Sequence, residues 1–364
     1  MTRRLLINLL VLIAAGLAPA GAALGQAPGQ LPNEVVEAQA VNAQHEKQID
    51  DLIEQAVALM LSENPPDARR GRDMLLAPMR NPRVTVAFRI AFGGRLAPKL
   101  KPLASGTHDG QAINALRVLG EVATPETGLV LEGALADPRI AVKYAAINGI
   151  GRTFAAMVDR LPAMPAGFAS GLVRKVGDLV TTEQHPEALD AAVRALMNAQ
   201  RVTSHASVRD LATVVLAEQA GGRLKGMGAQ EPCAPAMLRA LNGVRGAMTI
   251  NDPSAQPTAA AVRKAAELAG HAVAYVVRNL PEFKDSPGEP QKGILNEAET
   301  ILSAASQKAG PPVYASQRLG DEFVRDPARE FYRKALQTIQ WLHGKPFDFP
   351  PGTFLKDQEG AGGG

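Results

Sequence analysis

The chain has 364 residues, 46% of them hydrophobic and 21% charged, with a formal net charge of +3. At about 150 residues per domain that is room for two or three domains or one extended repeat array, and the composition excludes a wholly disordered chain. Aromatic residues make up only 4% while 62 residues are Ala; Ala is the best helix former and its small side chain lets helices approach closely, so the composition points to packed helices.

The amino terminus reads as an export signal. Arg3 and Arg4 precede a nearly unbroken apolar run from Leu5 to Ala18, shorter than the roughly 20 residues that span a bilayer and suited to a signal core. Ala20-Gly21-Ala22 and Ala23-Leu24-Gly25 both suit a cleavage site. Residues 1–25 are therefore expected to be a signal peptide, leaving Gln26 first in a periplasmic or extracellular chain. Losing Arg3 and Arg4 leaves a net charge of +1, so the basic balance of the whole chain is no nucleic-acid signature. No later apolar run is long enough to span a membrane. Cys233 is the only Cys, which rules out an intramolecular disulfide and suits a small buried side chain.

Residues 26–48 read as a flexible lead running into an N-terminal helix, and 49–280 as a helical array. Glu34 to Leu61 carries Ile49, Leu52, Ile53, Ala56, Leu59 and Met60 at spacings of three and four, and Pro65-Pro66 ends it. Helical patterns recur from there to about residue 280. The most strand-like run, Thr213-Val214-Val215, lies within a helical period between Leu211 and Leu216.

Internal repetition is the most informative pattern. Residues 81–88, NPRVTVAF, parallel residues 137–144, DPRIAVKY. Asn81 or Asp137 can accept from the free amides of a helix start, with Pro82 or Pro138 in the first turn. Ala115 to Gly120 parallels Ala146 to Gly151, 31 residues on, each an apolar helix face with Gly expected to end the helix. Thr124-Pro125-Glu126 and His185-Pro186-Glu187 read as further helix starts. The stretch ALRVLGEVATPETGLVLEGALADPRIAVKYAAINGIG resembles a HEAT-type helical repeat, well over about 80–156 and more faintly to 250. Its Pro starts are 56 and then 48 residues apart, so the array is irregular. The resemblance implies an all-α fold, an irregular HEAT-like α-solenoid of stacked helix pairs with a curved surface, and no particular chemistry.

Residues 281–364 read as a C-terminal helical extension. PEFKDSPGEPQKG, residues 281–293, is expected to be a polar linker. Ile294 to Lys308 and Asp326 to His343 are expected helices, separated by a break at Gly310-Pro311-Pro312. The tail GKPFDFPPGTF, 344–354, reads as extended and Gly360 to Gly364 as disordered. Seven of the fifteen aromatic residues fall within 323–354; they suit either a cap on the open end of a solenoid or a platform for sugar rings or a peptide.

Chemical motifs are sparse. The six His residues are widely spaced, and neither catalytic nor metal-ligating residues are expected. Gly106-Thr107-His108-Asp109-Gly110 offers too few ligands for a metal and reads as a turn before a helix near Asp109. Gly221-Gly222-Arg223-Leu224-Lys225-Gly226 can wrap an anion through backbone amides but reads better as an interhelical loop. Gly320-Asp321-Glu322-Phe323 resembles part of a cyclic-dinucleotide synthase signature, which needs a hairpin in an α/β domain rather than a segment between helices.

Charge is segregated near the start. Residues 34–67 carry −7 and residues 69–101 carry +8. Either the two segments pair locally, or the basic one faces outward and binds an acidic partner, with Arg69, Arg70, Arg72, Arg80, Arg83 and Arg89 as its contact residues. The reading that follows is an exported, non-enzymatic scaffold that binds a protein partner and needs no cofactor. Nucleic acid is not the expected partner. The alternative is a binder of anionic polymers, polysaccharide or nucleic acid, through the basic segment 69–101.

Overall fold

The computed structural model describes residues 30–283 and 288–355. The signal segment 1–25, the start of the lead, residues 284–287 of the linker and the terminal glycines lie outside the described residues. The first half of the chain forms α1 (Asn33–Val36), α2 (Ala43–Met60), α3 (Pro65–Leu76), α4 (Val86–Ser105), α5 (Asp109–Val122), α6 (Pro125–Ala134), α7 (Ile140–Asp159) and α8 (Ala166–Thr182). The second half forms α9 (Pro186–Ala199), α10 (Ala206–Gly226), α11 (Ala234–Met248), α12 (Ala259–Arg278), α13 (Leu280–Phe283), α14 (Glu289–Ala309), α15 (Leu319–Arg325) and α16 (Tyr332–Leu342). The described residues contain no strand, and Thr213 to Val215 lie inside α10.

From α2 to α12 each helix packs on the one two places along the chain, and, α3 and α4 apart, on its sequence neighbour. One layer runs α3, α5, α7, α9, α11 and the other α2, α4, α6, α8, α10, α12. This is an all-α solenoid, in which every helix pair buries its apolar face only by stacking on the next. It is irregular: α6 has 10 residues and α10 has 21. No described helix is long and apolar enough to cross a membrane.

The repeated motifs do structural work different from that read in the sequence. The Oδ1 atoms of Asn81 and Asp137 accept from the amides of Arg83 and Arg139, at 2.8 and 2.9 Å. The helices begin only at Val86 and Ile140, so Pro82 and Pro138 sit in the preceding turns and not in the first helical turn. The Arg of each motif instead ties its turn to the preceding unit. Arg83 pairs with Glu37 at 2.9 Å, and Arg139 donates to Gly106 O at 2.7 Å and pairs with Asp109 at 3.1 Å. Gly120, Gly149 and Gly151 do not end helices. Gly120 and Gly149 lie where α5 and α7 cross, a Cβ on Gly120 sitting 2.5 Å from Gly149 O, and Gly151 faces Ala195 of α9, 3.4 Å from where its Cβ would be. Gly221 and Gly222 likewise continue α10 and are not a loop, and a Cβ on Gly221 would lie 3.3 Å from the His271 ring and 3.7 Å from Leu268 Cα of α12.

Three boundaries also differ from the sequence reading. The stretch 34–61 is two helices, because the Asn42 side chain accepts from His45 N at 2.9 Å and starts α2 afresh. Pro65-Pro66 forms the first turn of α3. The linker after 280 is short, since α14 begins at Glu289 and not at Ile294. Pro125 and Pro186 do open α6 and α9 as expected. Cys233 is buried at the start of α11, its Sγ accepting from Arg223 Nη2 at 3.1 Å.

The C-terminal segment folds back on the stack. Helix α14 packs on both α11 and α12, and α16 packs on α12. Buried Glu299 fastens the segment before α15, accepting from Gln317 N at 2.6 Å, Leu319 N at 2.7 Å and Ser316 Oγ at 3.0 Å. Gly320 to Phe323 belong to α15, not to a hairpin. The tail seals the outside of α12. Phe354 presses on Gly270 and meets the His271 ring edge-on at 5.2 Å, Arg263 lies 4.5 Å over Phe349, and Arg278 donates to Phe354 O at 3.3 Å. Phe323, Phe331, Phe347, Phe349 and Phe354 are all buried. Five of the seven clustered aromatic residues thus belong to the core of the folded-back segment, while Phe354 and the half-buried Tyr332 also line a cavity of about 920 Å³ beside α12.

Candidate functional site

The six arginines singled out in the sequence do not form one surface. Arg89 is buried, donating through Nη2 to Leu161 O. Its Nε and Nη1 have no partner among the described residues. Burial, reinforced by Arg160, pushes its pKa down to about 10. Its guanidinium cannot reach a partner on the surface, which corrects its assignment as a contact residue. Arg83 is held by Glu37, and Arg72 by Asp73 at 2.9 Å and Asn114 Oδ1 at 3.2 Å. Farther along the basic segment, Arg95 bridges Glu46 at 2.8 Å and Asp50 at 2.7 Å, and Lys99 reaches Glu54 at 3.8 Å. The acidic and basic segments therefore pair across α2 and α4. Arg69, Arg70 and Arg80 are exposed and form no ion pair among the described residues.

A second arginine group is assembled by the stacking of α5 and α7. Along α7, Ile140, Tyr144, Asn148 and Arg152 follow at four-residue intervals and so share one face. Ile113 and Arg117 do the same on α5. The two faces stand beside the first turn of α9, with His185, Glu187 and Ala188, and enclose a groove of about 700 Å³. Its floor is apolar, with Ile113, Ile140 and Ala145, and Tyr144, a residue 38% exposed, lines it. The groove exists because the bare Gly120–Gly149 crossing lets α5 and α7 close tightly beneath it.

At Arg117 and Arg152 this groove continues into a cleft of about 540 Å³ lined also by Arg80, Glu121, Asp159 and Arg160. Glu121 is engaged by Arg152 at 2.5 Å and by Arg160, which donates to its carbonyl at 3.2 Å. Arg80 and Arg117 have no ion pair among the described residues. Burial, then the neighbouring Arg152 and Arg72, lower the Arg117 pKa. Among the described residues the cleft thus carries four arginines against two carboxylates, an excess of positive charge. Of the arginines expected from the sequence, only Arg80 lines it. Arg117 lies on α5 and Arg152 and Arg160 on and just after α7, far apart in sequence and without a common local pattern.

No group of three or more His, Cys, Asp or Glu side chains that could hold a metal occurs among the described residues. His108 stands at the start of α5, beside Asp109, which is taken up by Arg139.

No family model matches the chain, and no curated protein matches it in sequence. Among solved structures, an engineered protein aligns over 69% of this chain and 97% of its own at 18% identity, with a TM-score of 0.31. A second engineered protein aligns over 84% and 93% at 17% identity, with a TM-score of 0.24. A tumour-overexpressed-gene (TOG) domain array of microtubule polymerases, which recruits and assembles tubulin, aligns over 82% and 96% at 6% identity, with a TM-score of 0.22. At such TM-scores the likeness carries no argument, and the solenoid stands on the packing of this chain's own helices.

Proposed function

We propose that this chain is an exported, non-enzymatic scaffold of the HEAT type that seats a segment of a protein partner in the groove along α5, α7 and α9. The observation that carries the reading is the continuity of the groove, in which an apolar floor with an open tyrosine runs into an arginine cleft. Interfaces are enriched in such aromatic and arginine anchors. Export is supported by the signal pattern at 1–25 alone. No cofactor enters the reading.

The anionic-polymer alternative has less support. It needs the basic segment 69–101 to face outward, whereas Arg83, Arg95 and Lys99 are taken up by acidic side chains and Arg89 is buried. The test is affinity capture from an envelope fraction of the native host, comparing wild type with Tyr144→Ser/Ala145→Glu. A partner held by wild type and released by the variant supports the scaffold; equal capture by both removes the groove from the account. Sequencing the amino terminus of the purified protein tests export, with Gln26 expected first.

A further inference from the structure

Resting on that reading, we infer that the partner segment is bipolar, with an apolar side chain beside Tyr144 and carboxylates in the cleft of Arg80, Arg117, Arg152 and Arg160. The two ends of the groove differ in chemistry. The end at Ile140 and Tyr144 has an apolar floor, and its near charged neighbour is Glu187 of α9. The other end holds four arginines against two carboxylates, and Glu121 is already bonded to two of the arginines. Arg80 and Arg117 form no ion pair among the described residues, and at Arg117 burial and the repulsion of Arg152 and Arg72 outweigh the attraction of Asp73 and Glu121. A carboxylate there gains charge-assisted hydrogen bonds without breaking any ion pair of the fold.

The spacing follows from the helix. Tyr144 and Arg152 are eight residues apart on α7, about 12 Å at 1.5 Å per residue. An extended peptide at roughly 3.3 Å per residue covers that in about four residues, and a helix in about eight. The segment should therefore carry an apolar residue and an Asp or Glu about four positions apart if extended, or two turns apart if helical.

A nucleic acid or acidic polysaccharide fits less well. Evenly spaced charges would have to lie over the apolar floor, and Glu121 and Asp159 would repel a dense run of phosphates or uronates.

The test is selection of random twelve-residue peptides displayed on phage against the full mature chain. Selected peptides are then titrated by fluorescence anisotropy against wild type, Arg80→Glu/Arg117→Glu and Tyr144→Ser. Neither arginine has an ion pair to lose among the described residues, and thermal melts, with the milder Arg80→Gln/Arg117→Gln variant alongside, guard against a folding defect. The expected peptides combine acidic and apolar residues at one of the two spacings. They should bind at least about tenfold more weakly to each folded variant and weaken as salt rises from 50 to 500 mM. Apolar peptides that need Tyr144 but ignore the arginine reversal would overturn the acidic assignment and leave the docking groove standing. Peptides indifferent to both variants would overturn both readings. A thymidine 20-mer bound by wild type and lost on arginine reversal would replace the peptide with nucleic acid, and a concentration-dependent dimer abolished by Tyr144→Ser would replace it with a second copy of the chain.

Discussion

Replacing Gly120 with Ala puts a methyl group into the crossing of α5 and α7. Its carbon would lie 2.5 Å from Gly149 O and 2.7 Å from Gly149 Cα, where ordinary contacts start at 3.4 Å. These are backbone atoms, so no side chain can rotate away, and the two helices must separate by nearly an ångström. Overpacking of this kind costs about 1–3 kcal/mol, while Gly→Ala inside a helix returns about 1 kcal/mol of propensity. The expected net is a loss of about 1 kcal/mol. Gly133→Ala is the control: this residue lies near the end of α6 with nothing within 4 Å of an added Cβ, so only the gain applies. Thermal and urea unfolding followed by circular dichroism should place Gly120→Ala below wild type and Gly133→Ala at or above it. Hydrogen exchange should locate the loss in α5 and α7, since a solenoid's stability is a sum over neighbouring units. A Gly120→Ala protein as stable as Gly133→Ala would refute the close crossing and, with it, the reason the groove forms.

Other expectations follow from buried groups. Glu299→Ala strips the acceptor from two amides and the Ser316 hydroxyl, and should cost about 3 kcal/mol, seen as early proteolysis between α14 and α15. Burial holds His271 at a pKa of about 4, below its ordinary 6.5. The unfolded chain therefore takes up a proton first, and stability that is full above about pH 6.5 falls as pH drops toward 4, by at most about 3 kcal/mol. Melts of His271→Gln across that range should lack this part of the slope. Arg89→Met removes a buried charge that has one carbonyl partner and a repelling neighbour; unfolding should show stability unchanged or raised by about 1 kcal/mol, and partner capture should not change.

The fold class was legible because the apolar periodicity and the two repeats both report helix faces that must stack. The helix starts at Pro125 and Pro186 were legible for the same reason: Pro is tolerated at a first turn. The roles of Gly120 and Gly149 were not, because a glycine at a helix end and one at a helix crossing look alike until the partner helix is known. The arginine cleft was hidden differently. Arg80, Arg117, Arg152 and Arg160 come from three successive hairpins, and only stacking brings them together. The local run at 69–101 stood out by density, yet Arg83, Arg95 and Lys99 are spent on pairing with the acidic stretch before it, and Arg89 is spent on the interior.

The most direct measurement places a photo-crosslinking benzoylphenylalanine at Ala141, an exposed residue of the groove, and separately at Gly133, exposed on α6 in the opposite layer. Irradiation in the native host should yield one dominant protein adduct from position 141, none from position 133, and loss of that adduct when Arg80 and Arg117 are reversed to Glu. Adducts of equal strength from both positions, or from position 133 alone, would contradict the assignment of the α5–α7–α9 groove as the docking surface.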